Sequence, residues 1–278
     1  MLDGPDHPNL QRSRGTAFGA FALRQGATRL ADLHQSGSAK LMLPRVAGPV
    51  PEAVFLNTSG GLTGGDTLSY GLTLAEDCRL LATTQTAERA YAAPGGPARV
   101  SVTATVGARG RLDWLPQETL LYQSSNLIRH TQIDLGPDAS CLLAETVILG
   151  RLAMGEVTTT AHLTDHRRVT RQGRPVWAET LELSPDVLTS PSAALLGGAR
   201  ALAVVCLVAQ GAEDAVGPVR AALEFGAASG WDGKCVVRLA AADGWPLRQQ
   251  LARILHILTG RPLPRVWQAG DRASKGIT

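Results

Sequence analysis

The 278-residue chain is short of lysine, with only Lys40, Lys234 and Lys275, so its net charge of +3 rests almost wholly on arginine. No basic block stands out. The densest run, "RRVTRQGR", carries Arg167, Arg168, Arg171 and Arg174 and reads as a solvated strand edge that charge protects from mispairing. Nucleic acid is therefore not an expected partner. Cysteine is scarce too: Cys78, Cys141, Cys206 and Cys235 lie far apart in apolar runs without a C-x-x-C pair, a pattern of buried reduced thiols. Long apolar runs are missing. The richest, "ALAVVCLVA" at 201–209, is about half a membrane span, and "MLDGPDHPNLQRSRG" has no apolar leader core, so no membrane is expected and the setting is cytoplasmic.

Strand patterns dominate the first two thirds. Val100, Val102, Ala104 and Val106 oppose Ser101, Thr103 and Thr105, and Val157, Ala161 and Leu163 oppose Thr158, Thr160 and His162. Breaks such as "APGGPA", "GARG", "LGPDA" and "RQGRP" recur between these runs, which predicts consecutive antiparallel strands rather than βαβ units. Helices come late. Pro246 stands in a first turn, and Leu247, Leu251, Ile254, Leu255 and Leu258 form an apolar stripe closed by Gly260 and Pro262. A shorter helix is expected over 217–225, and a turn or two in "SPSAALLGG". With no repeat, low-complexity tract or linker, residues 1–278 read as one mainly β domain, with 1–15 disordered and 268–278 a tail.

The segment "NTSGGLTGGDTLSYGLTL" at 57–74 holds two glycine pairs followed by Asp66. A phosphate cradle needs a strand before its glycines and a helix after them. Here "AVFL" precedes as a strand, but Leu68, Tyr70, Leu72 and Leu74 alternate afterwards with period two. That is strand, loop, strand, with glycines permitting a shaped turn that presents one carboxylate.

Several carboxylates sit where apolar residues belong. Every neighbour of Glu145 in "CLLAETVILG" is apolar or nearly so, as in a central strand covered on both faces. Glu179 shares a face with Trp177, Leu181 and Leu183; Glu118 is in line with Leu120 and Tyr122; Glu88 follows the apolar "LLATT". An unpaired ionised carboxylate in an apolar interior costs at least several kcal/mol, against a net domain stability of ~5–15 kcal/mol. Each therefore needs an arginine partner, or several line one hydrated cavity that presents a negative field to a cation. Other chemistry is sparse. His162 and His166 fall on one face across two pleats, a weak metal pattern, and no zinc spacing or nucleophile elbow occurs. Glu118 and Glu145 admit a carboxylate-dependent hydrolase as an alternative.

"GSAKLMLPR", "GGLTGGD", "TTQTAERAY", "LDWLPQETLLY", "AETVILGRLAMGE" and "RPLPRVWQ" occur in that order over nearly the whole chain. In these motifs the sequence resembles the urease accessory protein UreD family, also called UreH. The resemblance implies a predominantly β, two-sheet fold with a β-helix-like course and about two helices. It also implies a non-enzymatic scaffold in nickel delivery to urease apoprotein, working with UreF and, through it, the GTPase UreG, and passing transient Ni²⁺ through an internal tunnel. Carried over by motif, Asp66, Glu88, Glu145 and Glu179 are the implied tunnel-facing metal contacts, with Glu118 and Glu156 behind them; no tightly bound cofactor is implied. Oxygen ligands suit that task because they hold nickel more weakly than thiolates or imidazoles do. A purely structural adaptor without metal transit is the other reading. One departure is that Ala90 and Ala92 stand where the family often has a larger aliphatic residue and an arginine.

Overall fold

A computed structural model describes residues 12–46 and 48–268. Strands and helices are numbered in chain order. The alternating runs become strands that bury one face: β5 (Thr67–Leu74) buries Leu68, Tyr70, Leu72 and Leu74, and β8 (Ala98–Val106) buries Ala98, Val100, Val102, Ala104 and Val106. These two lie in the middle of a seven-stranded sheet. On one side are β1 (Arg14–Arg24) and the edge strand β2 (Ala27–Gly37); on the other are β11 (Asn126–Leu135), β13 (His162–Arg171) and the edge strand β14 (Arg174–Leu183).

The second sheet begins with β3 (Ala39–Met42) and continues through β4 (Glu52–Asn57), β6 (Arg79–Thr84), β9 (Arg111–Trp114) and β12 (Ser140–Leu149). It is completed by β15 (Ala201–Val208), β17 (Lys234–Ala241) and β16 (Ala227–Trp231). Two short strands, β7 (Glu88–Ala90) and β10 (Thr119–Leu121), pair with each other, and β10 also pairs β12, so both extend the second sheet.

The mainly β, two-sheet, solenoid-like architecture matches expectation, and the expected antiparallel pairing holds for β1–β2, β3–β4, β12–β15, β15–β17, β16–β17 and β13–β14, but not in the middle of the fold. From β4 to β13 the chain alternates between sheets, so neighbours within a sheet run parallel: β5 with β8, β8 with β11, β11 with β13, and β6 with β9. The breaks "GARG" and "LGPDA" join strands of opposite sheets, and the opposite sheet supplies the crossover that a parallel pair requires. Alternation and turn spacing do not encode that difference. "RQGRP" does close an antiparallel hairpin, β13 with β14, through Gln172 and Gly173, whose φ angles of 50° and 76° suit a two-residue turn. The expected strand over 157–163 starts only at His162, and Val157 is exposed.

One core fills the space between the sheets. A second lies between the outer face of the second sheet and the helices α2 (Val216–Ala222), α3 (Gly244–Thr259) and α4 (Arg265–Gln268). In α3, Asp243 caps the Trp245 amide at 2.8 Å, Pro246 stands in the first turn, and Gly260 ends the helix at φ 63°. Its stripe is buried as the spacing predicts, and each buried Leu or Ile contributes about 1.5–3 kcal/mol, so docking on the sheet outweighs any propensity difference. The short helix α1 (Pro185–Thr189) precedes turns over 193–198. All four cysteines are buried free thiols. Among the described residues no helix is long and apolar enough to cross a membrane. Residues 1–11 and the tail beyond Gln268 lie outside the described residues, whereas Arg14 and Gly15 already belong to β1.

Candidate functional site

Because β12 is covered on both faces, its alternation divides between two cores: Leu142 and Ala144 face the helices, while Cys141, Leu143, Glu145 and Val147 face the other sheet. Glu145 thus enters the inter-sheet space, 1% exposed. There it meets the inward faces of β11 and β13. Arg167 Nε donates to Glu145 Oε2 at 2.9 Å, and Arg129 Nη2 lies 3.0 Å from the same oxygen. Thr131 Oγ1 donates to Oε1 at 2.7 Å, with Trp114 Nε1 at 3.4 Å. Both guanidiniums also bind Asp165, Arg129 Nε at 2.9 Å. Two arginines and two carboxylates form a buried, charge-balanced cluster. Burial alone would raise the Asp165 pKa, but the Arg129 and then the Arg167 guanidinium overcome it and hold the carboxyl below its ordinary value.

Arg167 therefore corrects the reading of "RRVTRQGR" as a wholly solvated edge. Alternation puts Arg168 and Arg174 outside, but Arg167 points inward beside Asp165 and is buried. Arg129 and Asp165 were also missed. Each interrupts an apolar face, Arg129 between Leu127 and Thr131 and Asp165 beside Leu163, and the test that singled out Glu145 would have found them.

Glu88 and Glu179 lie on either side of this cluster. Glu88, on β7, accepts from Asn57 Nδ2 at 3.2 Å and from the Arg89 amide at 3.2 Å. Burial raises its pKa to about 7 against those two bonds. The neighbouring Tyr70 phenol is also raised, by burial first and by the Glu88 charge second. Glu179 is half-buried on β14; Arg238 binds one oxygen, and Arg167 Nη1 lies 3.8 Å from the other. A pocket of about 40 Å³ opens between Asn57, Gly60, Gln85 and Glu88. A second cavity of about 40 Å³ runs from Glu88 past Trp114 and Thr119 to Arg129 and Glu145. A third pocket, of about 370 Å³, is lined by Glu145, Arg167, Glu179 and Arg238. Each small void has room for about one to a few waters. Adjacent voids share Glu88 and then Glu145, so three of the six predicted carboxylates stand in one row between the sheets.

The other three are elsewhere. Asp66 is buried, but Oδ1 accepts the Ser13 amide at 2.7 Å and Oδ2 the Thr63 amide at 2.8 Å, so it organises the loop rather than facing a void. The glycines permit that loop's close packing: a Cβ on Gly64 would lie 2.5 Å from the Gly96 carbonyl oxygen. Glu118 pairs with Arg248 at 3.1 Å in a separate groove of about 270 Å³ beside α3. Glu156 accepts from Arg151 Nε at 2.7 Å and from the Gln123 amide at 2.9 Å. Burial opposes these bonds, but they leave its pKa lowered. Among the described residues no three His, Cys, Asp or Glu side chains converge as a metal centre.

Thr131, Trp114 and two arginines take up both Glu145 oxygens, and Glu118 lines a different groove, so the carboxylate pair that the hydrolase alternative needs is not formed. Comparison with known proteins agrees. The family model described as UreD urease accessory protein matches residues 13–268, and the chain belongs to that family. It is 58% identical to the urease accessory protein UreD of Cereibacter sphaeroides (strain ATCC 17025) over 95% of this chain and 98% of the relative. Similarity to the UreD protein of Paracoccus denitrificans is 49% over 96% of each chain, and to that of Rhizobium leguminosarum bv. viciae 43% over 92% of this chain and 96% of the relative. As a member of this family the chain is an accessory protein, not an enzyme.

Proposed function

We propose that this protein serves urease maturation in the cytoplasm as a nickel-delivery scaffold. It binds UreF and, through it, UreG, and passes Ni²⁺ to urease apoprotein along the row from Glu88 past Glu145 to Glu179. The observation that carries the reading is the series of voids sharing Glu88 and Glu145. The chemistry is suited to transit. Glu88 balances near neutral pH between holding a proton and offering a carboxylate, and the neutral cluster around Glu145 contributes no net negative trap. An ion that enters such a row meets, at Glu88 and Glu179, oxygen ligands it can leave. Asp66, Glu118 and Glu156 are left out of the path, since their oxygens are engaged in loop and surface contacts.

The test is the nickel content of urease matured in cells carrying Glu88→Gln or Glu179→Gln, with co-purification of the accessory proteins checked alongside. Lower nickel with the assembly intact is expected. Unchanged nickel in both variants would reject the path and favour an adaptor without metal transit, a reading supported by the engagement of both Glu145 oxygens.

A further inference from the structure

The sequence groups His166 with His162, but the sheet gives it a different neighbour. In the parallel register of β11 and β13, His130 stands directly beside His166, while His162 pairs with Asn126 two pleats away. The two imidazoles stack with ring centroids 4.9 Å apart and planes inclined by 23°. Both belong to the outer face of the seven-stranded sheet, on the opposite side from Arg129 and Arg167. His130 is exposed and His166 half-buried.

His166 Nδ1 lies 2.9 Å from the hydroxyl of Thr180, its cross-strand partner on β14. When the ring donates Nδ1–H to that hydroxyl, the proton is fixed on Nδ1 and the Nε2 lone pair is free, the tautomer that a metal-ligating histidine takes from an oriented partner. Directly adjacent positions on one sheet face lie about 4.8 Å apart at the backbone, a separation at which two imidazoles can share one ion at the usual ~2.0–2.1 Å to each nitrogen.

We propose that His130 and His166 form a two-imidazole site for a divalent transition-metal ion of the imidazole-preferring class, zinc, copper or nickel, with Thr180 orienting His166 and water completing the coordination. This site is independent of the inter-sheet row. It lies on the back of the same two strands.

The test uses the full chain, titrated with Zn²⁺ against a chromophoric chelator under mildly alkaline conditions. His130→Ala and His166→Ala are each expected to weaken the site at least about tenfold and Thr180→Val about tenfold, whereas His162→Ala leaves it unchanged. Equal affinity in the unsubstituted chain and in both the His130 and His166 variants would overturn the assignment, as would an equal loss in His162→Ala. Electron paramagnetic resonance of the unsubstituted chain with substoichiometric Cu²⁺ provides a readout free of substitutions. Coupling to two nitrogens is expected, and oxygen-only ligation overturns the site.

Discussion

Glu88 carries an acid–base signature that a stability measurement can read. Its carboxyl is raised from 4.5 to about 7 by burial, against the bonds from Asn57 and the Arg89 amide. Each tenfold change in acid constant is worth about 1.36 kcal/mol, so full ionisation of Glu88 disfavours the folded state by about 3 kcal/mol. The sign comes from the proton count. Between the two values the folded chain keeps a proton that the unfolded chain has released, so this contribution to stability is present at low pH. It is lost as pH rises from 4.5 through about 7. Glu88→Gln keeps the size of the side chain but cannot ionise. Urea unfolding of the two proteins should coincide at the acid end and diverge with rising pH, the variant becoming about 3 kcal/mol more stable above neutrality. Parallel profiles, with no gain for the variant on the alkaline side, would refute burial as the dominant influence on this group.

Arg167→Met leaves Asp165 and Glu145 with one guanidinium between them and should cost about 3–5 kcal/mol, a fall in melting temperature of roughly 10 °C in a thermal scan. Asp165, held low by Arg129 and Arg167 despite burial, contributes stability above its ordinary value of 3.8 that is lost as pH falls through its folded value. Acid titration of Asp165→Asn followed by circular dichroism should lack that component. Asp66→Ala strips the Ser13 and Thr63 amides of their acceptor and should cost about 1–3 kcal/mol by urea unfolding, leaving urease nickel content to follow folded protein level alone. Gly64→Ala drives a methyl against the Gly96 carbonyl and should destabilise by about 1–3 kcal/mol in the same assay.

Patterns carried by near neighbours were legible from the chain. The faces of β5 and β8 and the α3 stripe with its first-turn proline and closing glycine follow from side-chain periods of two and 3.6, and the burial of Glu145 from the unbroken apolar run around it. The motif order was equally legible and led to the family. The parallel direction of the central strands was not, because a period of two is the same for either pairing and a glycine turn does not say which sheet the next strand joins.

The candidate site divides along the same line. That Glu88, Glu145 and Glu179 sit in apolar company is a local property, decided by the residues on either side of each. That Glu88 and Glu145 border one cavity while Asp66 caps two amides is decided by which strands the solenoid brings face to face. His166 shows the limit most plainly: its neighbour is 36 residues earlier in the chain, set beside it by the register of β11 and β13. The sequence by itself determined the strand faces, the main helix and the family. Only the tertiary structure decided which charges meet, because ion pairs and cavities are made across sheets by residues whose separation along the chain carries no record of their distance in space.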